Sequence, residues 1–296
     1  MPTTTLIDTT HGPLNIRTWP GRSGPVFVLV HGLGGSSQNW DLTAPRLDGR
    51  CVALDLPGFG LSHPRSGDQL DRHCEAVVEL IQWTGAGQVN LVGNSMGGLV
   101  TELVAASRPD LVANLALISP ATPLAPGALP ADKGVAARLV VQSLPGLGPA
   151  LARRLQHAAS PEALVRTTFE VIAADPARIP AETVTASVEL ARLRRRLPWA
   201  ARTYAASAAS IRRRLLQRAA FAETIARISC PTTLIWGAED RVVSPSSLRW
   251  LAGLRPDWTS LEIDGVGHVP MLEAPDVVMA ALADWLSDPV ICQKVD

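Results

Sequence analysis

Ser95 stands in Gly93-Asn94-Ser95-Met96-Gly97-Gly98, directly after the apolar run of residues 89–92. An apolar run that ends in Gly-x-Ser-x-Gly and passes into helix-compatible sequence is a strand, a tight elbow and a helix. Serine at such an elbow holds a strained backbone, so the residues two before and two after it must be nearly without side chain. Gly93 and Gly97 meet that demand, and Gly98 relaxes the crowding further. The elbow exposes the hydroxyl at the C-terminal end of the strand. The helix that follows offers the backbone N–H of Met96 and a favourable dipole to any negative charge that develops there. The chemistry this suggests is nucleophilic attack on a carbonyl. A serine hydroxyl is a weak nucleophile and needs a base in contact with it. The pattern also recurs by chance in Gly- and Ser-rich loops, so its weight rests on partners downstream.

The elements that would position such a serine follow from apolar patterning. Residues 3–19 read as a hairpin, with a turn at His11-Gly12-Pro13. Residues 25–30 and 51–55 are continuously apolar up to Asp55, as expected of strands buried on both faces of a parallel sheet, and residues 115–118 repeat the pattern. Residues 68–84 have helical spacing through Leu70, Cys74, Val77, Val78 and Ile81, and Gly85 supplies the stop. Residues 120–130, rich in Pro and Gly, leave the sheet as a linker. Residues 131–228 are Ala- and Arg-rich with helical spacing. Leu190, Leu193 and Leu197 share a face, and the arginines 194–196 and 212–214 fall mostly elsewhere, as solvated groups. The sheet resumes at residues 232–236 and again at 260–263, and residues 275–287 close the chain as a helix with Val277, Val278, Ala281, Leu282 and Trp285 on its buried side.

With elbow and strands in this order, the sequence resembles the α/β-hydrolase superfamily, in its serine-nucleophile, esterase- and lipase-like branch. The resemblance covers roughly residues 25–120 and 229–288. It implies an α/β-hydrolase fold: a mostly parallel central sheet with helices on both faces and an inserted helical cap. The domains would be a first core part at 1–120, a cap at 121–228 and a second core part at 229–296. The family's acid falls on Asp240 in Gly237-Ala238-Glu239-Asp240, with Glu239 as the near rival, and its terminal histidine on His268 in Gly267-His268. The turn His31-Gly32-Leu33-Gly34-Gly35 places the N–H of Leu33 beside that of Met96 as the oxyanion donors. Gly32, Phe59 and Val269 are the residues expected against substrate. Asp55, in Asp-x-x-Gly-x-Gly-x-Ser, suits pinning its own loop, and His31 suits bracing the next. Ser119-Pro120 occupies the place where other members carry an alternative acid.

Composition bounds the rest. The 296 residues are 47% hydrophobic, ample for a large core, and 27 basic residues balance 27 acidic ones. A chain with no net field is not expected to bind nucleic acid, and no stretch has the length of a membrane span. Charge does mark the middle of the chain: residues 134–229 hold 15 Arg against 6 acidic residues. Cys51, Cys74, Cys230 and Cys292 lack metal-ligand spacing and read as reduced thiols, with no metal and no cofactor expected. The start of the chain has no basic, apolar leader, so a cytoplasmic protein is the expectation. A serine rather than an aspartate at the elbow excludes the dehalogenase and epoxide-hydrolase chemistry that needs a carboxylate. The leading function is therefore hydrolysis of a small or medium apolar carboxylic ester. Carbon–carbon bond hydrolysis of ring-fission products is the alternative, with haloperoxidase-like and thioesterase activity also open on the same constellation. A ligand receptor built on the scaffold is the non-enzyme alternative.

Overall fold

A computed structural model describes residues 2–21, 24–144 and 146–287. In chain order the elements are β1 (Thr3–Ile7), β2 (Leu14–Trp19), β3 (Val26–Val30), β4 (Arg50–Leu54), α1 (Gln69–Thr84), β5 (Val89–Asn94), α2 (Met96–Ser107) and β6 (Val112–Ile118). Six helices follow before the sheet resumes, the first five being α3 (Lys133–Gln142), α4 (Leu147–Ala158), α5 (Pro161–Ile172), α6 (Ala181–Arg196) and α7 (Ala200–Leu215). Then come α8 (Arg218–Ala226), β7 (Thr232–Gly237), α9 (Pro245–Leu254), β8 (Thr259–Ile263), α10 (Pro270–Glu273) and α11 (Pro275–Ser287).

The eight strands form one sheet in the order β1-β2-β4-β3-β5-β6-β7-β8. β1 and β2 join antiparallel, and every pairing from β4 to β8 is parallel. A parallel sheet covered on both faces must alternate its side chains between two cores. β3 does so: Val28 and Val30 enter one apolar cluster, Phe27 and Leu29 the other, and all four are fully buried. Each such side chain stabilises the fold by about 1.5–3 kcal/mol. The first cluster lies under α1, α2, α8 and α9, and the second under α10, α11 and parts of α5 and α6.

Helix ends follow the local sequence. Asp68 caps α1 by accepting from the N–H of Leu70, and Gly85 ends it in the left-handed conformation. Asp132 caps α3 and Ser160 caps α5 in the same way. The helices α3–α7 are inserted between β6 and β7 and face the C-terminal ends of the strands. α8, within the same 121–228 segment, packs instead on the sheet side: Phe221, Ile225 and Ile228 belong to the core shared with α2 and α9. Cys51 and Cys74 are free thiols whose burial pushes both up to about 12. Cys292 lies outside the described residues. Among those residues no single helix is long and apolar enough to cross a membrane.

Candidate active site

β5 runs through the middle of the sheet and ends at Ser95, whose φ of 56° and ψ of −120° lie outside the regions a side chain favours. The surroundings enforce this. The Ser95 N–H donates to Ile118 O, and its carbonyl accepts from Leu99 N and Ala121 N. The glycines are required by contact: a Cβ at Gly93 would lie 2.5 Å from Gly97 O, and one at Gly97 would lie 2.2 Å from Val30 O. Gly98 is closed in the same way by Pro120, at 2.7 Å. β5, α2 and the end of β3 therefore approach more closely than any side chain allows.

The downstream residues converge on this point. His268 Nδ1 lies 2.7 Å from Asp240 Oδ2, and both side chains are buried. The other Asp240 oxygen accepts from Val242 N and Val243 N at 2.8 and 2.9 Å, so both carboxylate oxygens are hydrogen-bonded. Glu239 is exposed and takes no part. Asn94 Nδ2 donates to Ile118 O and to His268 O, which ties the elbow to the histidine loop. The approach of β7 to that loop again demands glycine, because a Cβ at Gly237 would lie 2.1 Å from Val266 O.

Ser95 and His268 open into one cavity of about 440 Å³, roofed by the inserted helices. The hydroxyl of Ser95 makes no hydrogen bond within the described residues. Gly32, Leu33 and Val269 line the cavity. The N–H of Leu33 finds no acceptor among the described residues, and that of Met96 is in the first turn of α2, beyond the reach of any helical carbonyl. The cavity walls carry apolar side chains, among them Leu164, Val165, Phe169, Ile172 and Leu272, and polar ones, among them Arg138, Gln142, Gln156 and Tyr204.

Phe59 is not part of this site. It is buried between His31 and His73, with ring centroids 5.7 and 5.8 Å away, because the loop that carries it folds back over the core. Its loop is pinned by Asp55, which accepts from Asn15 Nδ2, Leu61 N and Ser37 N. His31 braces the neighbouring turn, bonding Gly32 O and accepting from Leu56 N. Burial lowers its pKa to about 4, against the pull of Asp55.

A family model described as alpha/beta hydrolase fold matches residues 25–275. The chain belongs to the α/β-hydrolase family. Lipase 3 of Moraxella sp. (strain TA144) is 28% identical to this hydrolase over 256 residues, covering 85% of this chain and 74% of the lipase. The dihydrolipoyllysine-residue acetyltransferase component of the acetoin cleaving system of Pseudomonas putida is 43% identical over 105 residues, only 34% of this chain and 28% of that relative. Among solved structures, a mutant of the meta-cleavage product hydrolase CumD superposes with a TM-score of 0.75 at 19% identity, covering 96% of this chain and 98% of that one. That degree of likeness establishes the fold.

Two side chains that bind the inserted helices of this hydrolase to its strand-end loops were missed in the sequence. Glu273, in α10, is buried and accepts from Gly267 N, Ala174 N and Asp175 N at 2.8, 3.1 and 2.7 Å. It thereby clamps the histidine loop to the chain leaving α5, where His268 N also donates to Ile172 O at 2.7 Å. Arg194, in α6, is partly buried and does not stand on a solvated face. It lines the cavity and donates to Gly34 O and, at 3.0 Å, to Gly35 O. Burial holds its guanidinium down to about 10, opposed by the nearby Asp55 and Tyr204. Other arginines of the insertion are also tied: Arg195 bonds Gln156 O and Ala159 O, and Arg214 bonds Thr224. No group of three or more His, Cys, Asp and Glu side chains suited to a metal occurs among the described residues.

Proposed function

We propose that this hydrolase cleaves a small or medium apolar carboxylic ester with Ser95 as nucleophile, through an acyl-enzyme. The observation that carries the reading is the buried Asp240–His268 pair opening into the same cavity as the strained Ser95. Ser95 Oγ bonds to the ester carbon as its proton passes to His268 Nε2, and Asp240 fixes the imidazole tautomer and stabilises the imidazolium. The N–H groups of Leu33 and Met96 hold the oxyanion, one such donor being worth about 3 kcal/mol of barrier. The carbon–oxygen bond then breaks, the alcohol leaving with the proton from His268. Water, deprotonated by the same histidine, attacks the acyl carbon and releases the acid.

The apolar side chains of the cavity favour an acyl or alkyl chain bound by burial, at about 0.8 kcal/mol per CH₂. Similarity to a lipase supports the same class. A series of p-nitrophenyl esters of increasing chain length tests the reading. We expect kcat/KM to rise over the first few methylenes, and Ser95→Ala to lose about 10⁵ to 10⁶ in kcat with the fold intact. No turnover of any ester by the wild type would leave the receptor reading in its place. Arg138 and Arg194 on the cavity wall favour a second reading, carbon–carbon hydrolysis of a carboxylate-bearing ring-fission product. Cleavage of a 2-hydroxy-6-oxo-dienoate faster than any ester, with ester turnover independent of chain length, would reverse the order.

A further inference from the structure

The turn that carries Leu33 is soft by composition. Three of the four residues 32–35 are glycine, so its backbone has far more freedom than a fixed oxyanion donor tolerates. A single internal bond closes it, from Gly35 N to Gly32 O at 2.9 Å, with Leu33 and Gly34 at the centre. Gly34 has a φ of +74°, as the third residue of a type II turn requires. The Leu33 N–H has no acceptor among the described residues, and Leu33 itself lines the cavity. The Gly35–Gly32 bond and the bond of His31 Nδ1 to Gly32 O hold the start of the turn, so the restraint on the Gly34 and Gly35 carbonyls must come from elsewhere.

It comes from the inserted helices. Arg194 Nη2 spans Gly34 O and Gly35 O, the two carbonyls that follow the donor. The guanidinium has no carboxylate within ion-pair distance among the described residues, so carbonyl dipoles are its direct partners. An arginine placed only for charge balance would pair with an acid, and the donors an anion anchor would present to its ligand are here spent partly on the backbone. Tyr204, from α7, covers the same turn: a Cβ at Gly34 would lie 3.3 Å from its ring. On α6, Arg194 follows Thr183, Ser187, Leu190 and Ala191 along one cavity-facing stripe, so a rigid helix sets its position.

We infer that Arg194 is a positioning residue for the oxyanion pocket: from α6 it holds the 32–35 turn by two carbonyls and so keeps the Leu33 N–H aimed at the reacting carbonyl. The inference rests on the serine-hydrolase reading. A planar guanidinium bridges two acceptors from one nitrogen in fixed geometry, whereas an ammonium is a point charge on a flexible stem. The interaction is needed most when the oxyanion develops, so its loss falls on the chemical step and leaves ground-state binding nearly unchanged.

The test compares wild type with Arg194→Met and Arg194→Lys, with Arg192→Ala as control, since Arg192 is exposed and pairs among the described residues with Glu162 and Glu189. The readouts are kcat and KM for p-nitrophenyl butyrate, inhibition by an alkylboronic acid that forms a tetrahedral anion on serine, and thermal midpoint. Arg194→Met is expected to lower kcat about 10- to 100-fold, below the roughly 10²- to 10³-fold cost of losing an oxyanion donor outright, with KM within about two-fold. The boronic acid should weaken in parallel. Arg194→Lys should recover part of kcat, and added guanidinium should partly restore Arg194→Met. An unchanged kcat in folded Arg194→Met overturns the inference, as does a raised KM at constant kcat, which would make Arg194 a substrate anchor. If Arg194→Met does not fold, Arg194→Lys decides alone: a lowered kcat at constant KM supports the inference, and wild-type kcat overturns it. A wild type inert to both ester and boronic acid removes the serine-hydrolase reading itself. An active wild type with indifferent variants removes only the role of Arg194.

Discussion

Replacing His73 with phenylalanine should make the protein less sensitive to mild acid, by an amount the structure allows to be worked out. His73 lies fully buried in α1, against the ring of Phe59 and with Nε2 3.1 Å from Ser207 Oγ of α7. Its Nδ1 has no partner among the described residues. Burial lowers its pKa from 6.5 to about 3, and the charges of His31 and Arg65 push it the same way. The folded state therefore holds His73 neutral while the unfolded chain takes up a proton below 6.5. Stability is fully present above that value and is lost progressively as pH falls towards the folded pKa. At about pH 5 the unfolded group is about 1.5 units below its pKa, which costs about 2 kcal/mol at about 1.4 kcal/mol per unit. Urea unfolding at about pH 7.5 and about pH 5 measures it. Phenylalanine keeps the packing on Phe59 and loses the bond to Ser207, an effect present at both pH values that cancels in the difference. The wild type should lose about 2 kcal/mol more than His73→Phe between the two conditions. Equal losses would mean that His73 is solvated or protonated in the fold, and the reasoning would fail.

Asp240→Asn should lower kcat by about 10⁴, because the amide supports the wrong imidazole tautomer, while Glu239→Gln should stay near wild type; steady-state ester hydrolysis separates them, and the reverse result would move the acid to Glu239. Glu102, fully buried in α2 with neither oxygen hydrogen-bonded among the described residues, has its pKa raised well above 4.5 by burial, against the pull of Arg214. The fold holds its proton where the unfolded chain releases it, so stability falls as pH rises above 4.5. Glu102→Gln should therefore gain stability over wild type as pH rises from about 5 to about 8 in urea titrations, and a constant gap between the two curves would refute the assignment.

The parts of the site that lie on the sheet were legible because their geometry is written locally. Gly93, Ser95 and Gly97 announce an elbow that only those residue types tolerate, and the apolar runs either side belong to strands buried on both faces. The walls of the cavity are a different case. Phe59 is apolar and near the site in the chain, but hydrophobicity does not distinguish a core position from a cavity wall, and its true neighbour His73 lies on another element. Glu273 reads as one more acid on a short helix; its burial depends on three N–H groups from two distant loops. Arg194 did leave a signal. It stands four residues after Leu190, roughly 40° round the helix, so it belongs to the Leu190 stripe and not to the solvated face assigned to its neighbours.

Arg194 and Glu273 together show why the insertion cannot be a passive cover. Loops at the ends of parallel strands expose backbone groups that no strand partner satisfies, and burying them unpaired would cost about 1–3 kcal/mol each. The 32–35 turn presents carbonyls, and a cation from α6 meets them. The histidine loop presents the N–H of Gly267, and the chain leaving α5 presents those of Ala174 and Asp175; one carboxylate meets all three. The sign of each side chain follows from the polarity of the backbone it covers. Both loops carry groups proposed to react, Leu33 N–H in one and His268 in the other, so the contacts that seat the helices are the contacts that fix those groups. Arg-rich composition in the insertion then has a structural reason besides solubility: Arg194 and Arg195 each end on two backbone carbonyls, which a planar guanidinium meets in a fixed geometry that an ammonium on a flexible stem does not hold.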